Sequence, residues 1–443
     1  MLFWRQRKMI LLNPVVISVI VMIGLCLINL NIVLALLLAA LAGGLAAGMS
    51  IPATMGVLIS GMGGNAETAL AYFLLGTFAI AINKTGLASI ACKKIASMVG
   101  EHKIMLMFLI ALIACISGTV IPVHIAFIPI LIPPLLFLFN KLKVDRRQVA
   151  CALAFGLKCP YITLPIGYGL IFQGIIAAEM GRNGMEIAKG SVPAYTWVIG
   201  IGMIIGLLIA VFITYNRPRH YDDKPIIGGS VEDMPSTFTK THYLTMVAII
   251  AAFAAQLWSG SMPLGALVAL LVMIVTGVLK FKDIDESFLG GLEIMGLIAF
   301  VMLIAAGYGT VLRETKSVEH LVNSVVSLVG GSKFWGAFLM LAVGLLVTMG
   351  IGTSFGTVPV IAAIYCPLAM QLGFSVGATA CLIAAAGALG DAGSPASDTT
   401  LGPTAGLNAD GQHNHIWDTC VPTFLHYNIP IFIAAMVGAL VLY

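Results

Sequence analysis

The 443-residue chain is 60% hydrophobic and 9% charged, with a mean hydropathy of +1.04 and a formal net charge of +4. A soluble domain carries about a quarter charged residues, so soluble enzymes are excluded, and the thinly spread basic residues exclude nucleic-acid binding. The composition is that of an integral membrane protein, long enough for roughly ten spans of about 20 residues.

Taken in chain order, Trp4-Arg-Gln-Arg-Lys8 precedes an apolar run from Met9. No small-residue cleavage site follows, and the chain turns at Asn29-Leu-Asn31 into a second apolar run, which predicts a retained first span rather than a signal peptide. Spans are expected over 14–29, 32–49 and 67–83. An amphipathic stretch follows, ending Ser97-Met-Val-Gly100, and then an apolar run over 104–138 that is interrupted at Gly118-Thr-Val120. A long helix opening with Ala150-Cys151 is broken at Pro160 and Pro165, and a last span covers 195–215.

After a polar segment, 216–242, the order repeats at an offset of roughly 230 residues. Spans over 243–258, 262–279 and 293–312 lead to an amphipathic stretch ending Ser327-Leu-Val-Gly330, and an apolar run over 334–371 is interrupted at Gly356-Thr-Val358. A helix opening with Ala380-Cys381 breaks at Pro395 and Pro403, and a final span covers 421–442. The chain therefore divides into a first transmembrane repeat (1–215), a linker (216–242) and a second repeat (243–443). Read as re-entrant hairpins, the two interrupted runs leave five spans per half. An odd number inverts the second half, giving an all-α polytopic membrane protein with two inverted repeats, about ten transmembrane helices, two re-entrant hairpins and two broken helices. In such designs the site lies at midplane between the repeats.

With the linker on the cytoplasmic side, 14 Lys and Arg fall inside and 8 outside, Lys158 lying within the membrane. The positive-inside rule favours that orientation. The eight cysteines are scattered, without a Cys-x-x-Cys pair, and read as small buried hydrophobes.

The residues that carry chemistry sit at the breaks. Phe334 to Gly390 is a stretch of 57 residues without Lys, Arg, Asp or Glu, so Asp391 and Asp398 arrive at membrane depth. A carboxylate there is costly and marks a functional site. The glycines and prolines of 389–403 rule out a continuous helix, and broken backbone in a bilayer must line a cavity or be buried in protein. Ser394, Ser397 and Thr399 offer hard oxygen ligands for Na⁺, and a carboxylate holds either Na⁺ or a proton. Helix capping in a surface loop is the alternative for these aspartates, and Asp410 and Asp418 lie in a segment that reads as such a loop.

In the first half the counterpart segment, Gly156 to Gly167, contains Lys158 and Thr163. Inversion would bring Lys158 toward Asp391 and Asp398, where opposite charges in a low dielectric need each other. Lys158 then serves as a counter-ion or receives the carboxylate of an organic anion or amino acid; snorkelling to an interface is the third possibility. Thr119, His124, Thr353, Ser354 and Thr357 mark the hairpin tips, where half-helix N-termini attract anions. His413 and His415 lack a third ligand and make a weak metal signal.

The stretch Gly390-Asp-Ala-Gly-Ser-Pro-Ala-Ser-Asp-Thr-Thr-Leu-Gly-Pro-Thr-Ala-Gly-Leu-Asn-Ala-Asp410, the Asn13-Pro14 opening and Ala69-Leu-Ala-Tyr-Phe-Leu-Leu-Gly-Thr-Phe-Ala79 resemble the Na⁺/H⁺ antiporter family of NhaC type. The resemblance spans essentially the whole chain. It implies a secondary transporter rather than an enzyme, in a bacterial inner membrane, as a homodimer, with alternating access. It also implies an ion site lined by Asp391, Ser394, Ser397, Asp398 and Thr399, and Na⁺ or H⁺ as coupling ion with no cofactor. The Gly-Pro-Thr-Ala-Gly and His-x-His-Ile-Trp-Asp forms resemble a branch of candidate amino-acid carriers, with histidine a named substrate. Two functions stay open: Na⁺/H⁺ exchange, or Na⁺- or H⁺-coupled carriage of an amino acid or organic anion.

Overall fold

The computed structural model describes residues 12–28, 30–87, 90, 94, 97, 99, 102–119, 127–166, 168–225, 238–259, 261–317 and 331–443. All regular structure among them is helical. The first repeat supplies α1 (Pro14–Leu27), α2 (Ile32–Ala46), α3 (Ile51–Gly61), α4 (Ala66–Thr85), α5 (Lys103–Thr119), α6 (Ile128–Lys141), α7 (Arg146–Thr163), α8 (Tyr168–Arg182) and α9 (Pro193–Ile209). The second supplies α10 (Lys240–Ser259), α11 (Met262–Val275), α12 (Ile284–Glu314), α13 (Lys333–Ile351), α14 (Ser354–Leu372), α15 (Val376–Ala388), α16 (Asp398–Leu407) and α17, which runs over His415–Leu442.

Among the described residues four helices are long and apolar enough to cross a membrane, six if each of two bent pairs counts as one span. One bent pair is α7 with α8, turning by 48°. The counterpart in the second repeat is α15 and α16, separated by residues 389–397. Both expected broken helices are thus present, but α7 runs through Pro160 to Thr163 and α16 runs through Pro403, so neither of those prolines marks a break. The second interrupted run is an antiparallel hairpin, turned not at Gly356-Thr-Val358, which lies inside α14, but at Gly352, whose φ of +76° ends α13; Tyr365 on one arm bonds the carbonyl of Met340 on the other. The first interrupted run contributes α5 and α6, and residues 120–126, with His124, lie outside the described residues.

Two further features differ from the sequence reading. α3 was not expected, although Ser50 caps it and Pro52 sits in its first turn, the ordinary signature of a helix start. α12 has 31 residues, about 46 Å at 1.5 Å per residue, because Asp285 and Glu286 open the helix well before its apolar stretch.

Packing cuts across the repeat boundary. α2, α3 and α4 pack with α12, and α4 also with α10 and α11, while α5 to α9 pack with α13 to α17; α1 lies on α2 and reaches α13, and α12 touches α13 and α16. Small residues set the first group: a Cβ on Gly291 of α12 would lie 2.4 Å from the backbone of Thr77 on α4, and one on Gly76 would lie 2.7 Å from Gly291 O. Bare backbone at that crossing lets two helices approach closely where no hydrophobic effect drives them together. A separate apolar core forms there from Ala71, Leu74, Phe78, Ala269 and Met273. The second group holds both broken helices and belongs to the larger core.

Candidate functional site

The break at 389–397 begins where α15 ends. Leu389 N–H still bonds Ala385 O, and the next residues leave helical geometry because Gly390 and Gly393 have φ of +80° and +97°, a region that side chains oppose. Ser397 then caps α16 by accepting from Thr399 N–H at 3.2 Å. This geometry turns Asp391 inward, where it is 3% exposed.

Four side chains from three separate segments meet the Asp391 carboxylate. Lys158, on α7 and fully buried, places Nζ 2.7 Å from Oδ2 and 2.9 Å from Ala388 O. Ser354, the first residue of α14, donates to the same oxygen at 2.8 Å, and Tyr161 of α7 donates at 3.2 Å. Tyr161 and Ser354 hydroxyls also touch at 2.9 Å. Ser397 donates to Oδ1. An ammonium and three hydroxyls therefore compensate one buried charge, which is what a carboxylate needs to stay ionised out of water. Tyr161 is in turn held by Phe172 and Phe355, with ring centroids 5.1 and 5.4 Å away.

The other expected site residues fall into three groups. Thr399 and Ser394 line the break: Thr399 Oγ1 lies 2.9 Å from Ser397 Oγ and 3.3 Å from Asp391 O, and Ser394 donates to Met349 O at 3.3 Å. Asp398 opens α16 beside them and is partly exposed, in contrast to Asp391. Thr163, Thr119 and Thr357 bond carbonyls of their own helices or caps, those of Cys159, Cys115 and Thr353, and do not join the Asp391 cluster. Thr353 links α13 to α14 and offers that carbonyl.

A second buried pair lies at the far ends of the same broken helices. Arg146, at the start of α7, meets Asp410, just past α16, through two bonds of 2.6 Å, and also donates to Leu407 O and Asn140. The Tyr221 ring lies 4.2 Å from the guanidinium. Burial by itself would raise the Asp410 carboxyl, but the Arg146 bonds prevail and hold it below the usual carboxylate range. Nearby, Arg219 of the linker bonds Asp418 at 2.8 Å. Burial pushes the ring of His413 well down, so it stands neutral. His413 and His415 bond Thr419, Thr404 and the Pro395 carbonyl, and among the described residues no group of three side chains suited to a metal ion occurs.

Three contributors escaped the sequence reading. Tyr161 stands within the quoted segment beside Pro160 but has no charge to mark it. Arg146 reads as one of several basic residues in a surface turn, Asp145-Arg-Arg147. Asn428 is a single amide in the last helix, and its contacts are with backbone only.

A family model described as the Na⁺/H⁺ antiporter family matches residues 151–439, covering both breaks and the Lys158–Asp391 pair. The chain belongs to the Na⁺/H⁺ antiporter family. A second Na⁺-H⁺ antiporter family model matches residues 13–99. Relatives extend over the whole length: an uncharacterized membrane protein of Vibrio parahaemolyticus is 48% identical over 97% of this chain and 100% of its own. YuiF of Bacillus subtilis, provisionally named an amino acid transporter, is 47% identical over 97% of this chain and 100% of its own. Among solved structures, the Alcanivorax borkumensis YdaH transporter aligns with TM-score 0.45 and 14% identity over 86% of each chain. Neisseria gonorrhoeae MtrF aligns with TM-score 0.42 and 16% identity over 87% of this chain and 84% of its own. As a member of the antiporter family this is a multi-pass membrane protein and a secondary transporter.

Proposed function

We propose that this antiporter-family chain exchanges Na⁺ for H⁺ across a bacterial inner membrane, with Asp391 as the ion-binding carboxylate and Lys158 as its resident counter-ion. The observation that carries the reading is the 2.7 Å contact between Lys158 and Asp391 inside the break. In a low dielectric the site tolerates one neutralised carboxylate and little net charge. Na⁺ arriving at Asp391, with Asp398 and the hydroxyls of Ser394, Ser397 and Thr399 within the same break, competes with the ammonium. Loss of a proton from Lys158 restores neutrality, which links Na⁺ uptake at the site to H⁺ release. Motion of the α5–α9 and α13–α17 group against the other group would then alternate access.

A second reading is favoured by the name of YuiF at 47% identity. In it, Lys158 grips the carboxylate of an amino acid, and Na⁺ or H⁺ at the aspartates drives uptake. Purified protein in proteoliposomes with an internal pH dye and an imposed Na⁺ gradient separates the two. A Na⁺-driven pH change, lost in both Asp391→Asn and Asp398→Asn, is the result expected for exchange. A flat trace with Na⁺- or H⁺-driven histidine uptake in the same vesicles would assign Lys158 to the organic substrate.

A further inference from the structure

The break is held from outside the two broken helices, by α17. Asn428 Nδ2 donates to Ala392 O at 2.7 Å, and its Oδ1 accepts from Gly390 N–H at 3.2 Å. These groups belong to the two residues that flank Asp391, the amide of the one before it and the carbonyl of the one after. The Gly390 amide lies past the end of α15, where no helical carbonyl is in register to receive it. Asn428 is 3% exposed and Ala392 fully buried, so no solvent replaces either bond. Farther along the break, His415 of the same helix holds the Pro395 carbonyl at 3.0 Å.

We propose that Asn428 is a positioning residue of the ion site: its carboxamide brackets Asp391 and fixes the direction in which the carboxylate faces Lys158, Ser354 and Ser397. The two bonds anchor the three-residue stretch Gly390–Ala392 at both ends, which narrows the backbone freedom around Asp391. Asparagine suits the task because one planar group both donates and accepts and carries no charge to compete with Lys158. The inference rests on Asp391 being the ion-binding carboxylate.

The test compares Asn428→Ala, Asn428→Asp and the control Thr348→Val in proteoliposomes. Thr348 bonds Ala386 O on α15 at 2.8 Å, so its loss weakens the same layer without touching the break. Asn428→Ala is expected to raise the Na⁺ KM about tenfold, the effect of losing a buried bonded group, with a much smaller change in maximal rate. Asn428→Asp keeps an acceptor for Gly390 but sets a carboxylate oxygen against Ala392 O and adds a charge that competes for Lys158, so it is expected to raise the KM at least as much, and it decides the matter if the alanine variant does not fold. Thr348→Val should lower the melting temperature and leave the KM alone. Amide hydrogen exchange over 389–397 supplies a readout independent of transport, expected to speed up in both Asn428 variants and not in the control. Unchanged KM and unchanged exchange in a folded Asn428 variant overturn the proposal. If the wild type drives no Na⁺-dependent proton movement, the exchange function fails. The hydrogen-exchange comparison then decides by itself whether Asn428 holds the break: faster exchange upholds it, and unchanged exchange ends it.

Discussion

Lys158 and Asp391 are 233 residues apart in sequence and 2.7 Å apart in space. The sequence separation is close to the roughly 230-residue offset between the two halves, so the pair occupies nearly equivalent places in the two copies. One copy supplies the cation, the other the anion, and neither half holds a neutral site without its partner.

Removing one member of this pair is expected to cost far more than removing both. Lys158→Ala strands a buried carboxylate and should lower stability by about 3–5 kcal/mol, whereas Lys158→Met with Asp391→Leu should fold at near wild-type stability. Both are expected to lose Na⁺-driven proton movement. Thermal melting in detergent, with transport measured on the same preparations, checks this; equal melting temperatures for the single and double variants would refute it.

The three hydroxyls on Asp391 should be graded by geometry. Hydrogen bonds to charged groups contribute about 1.5–3 kcal/mol, so Ser354→Ala and Ser397→Ala are each expected to weaken Na⁺ KM by roughly tenfold or more. Ser397→Ala should be the worse, since it also removes the cap of α16. Tyr161→Phe, whose contact is longer at 3.2 Å, should shift KM least and retain the packing on Phe172 and Phe355. A Tyr161→Phe variant as impaired as Ser397→Ala would contradict the ranking.

The Arg146–Asp410 pair should leave an acid signature. The folded Asp410 carboxyl is held below its ordinary value. Its stabilisation is therefore complete above the unfolded carboxylate value of about 4 and disappears as pH falls through the lower, folded one. Wild type should melt above Asp410→Asn at pH 7, with the gap closing at the acid end of the range. A gap constant down to pH 2 would contradict the sign.

The glycines of the break should resist replacement. A Cβ on Gly393 would lie 2.5 Å from Phe424 Cβ and 2.7 Å from its Cα, and one on Gly390 2.4 Å from Leu345 O. The left-handed backbone adds roughly 1–2 kcal/mol for any other residue. Gly393→Ala and Gly390→Ala should each lower the melting temperature by several degrees, whereas Gly411→Ala, with nothing within 4 Å, should carry only the backbone cost.

Much of this site was legible because charge and broken helix are rare inside a bilayer. Asp391 and Lys158 each interrupt a long apolar run, and the internal repeat supplies the reason for them to meet. Arg146 was opaque for the opposite reason: it stands among charged neighbours, and only a carboxylate 264 residues away separates a buried Arg from an exposed one. Asn428 left no trace because it reads backbone, and backbone contacts have no partner residue type to look for. The helix α3 was legible in its cap and proline, between the spans expected over 32–49 and 67–83.

The last helix is wound unevenly, with π-type stretches at His415–Cys420, Phe424–Asn428 and Gly438–Leu442. In an unbroken α-helix, at about 100° per residue, the thirteen steps from His415 to Asn428 would set the two side chains roughly 140° apart. The wider i→i+5 turns take up that difference, and both residues reach the same break. Deleting one residue from either stretch would convert it toward ordinary helix and improve its own backbone bonding, yet swing Asn428 away from Gly390 and Ala392. The length of this segment is thus fixed by the break around Asp391, although none of its residues touches the carboxylate, and insertions or deletions there should be less tolerable than most substitutions.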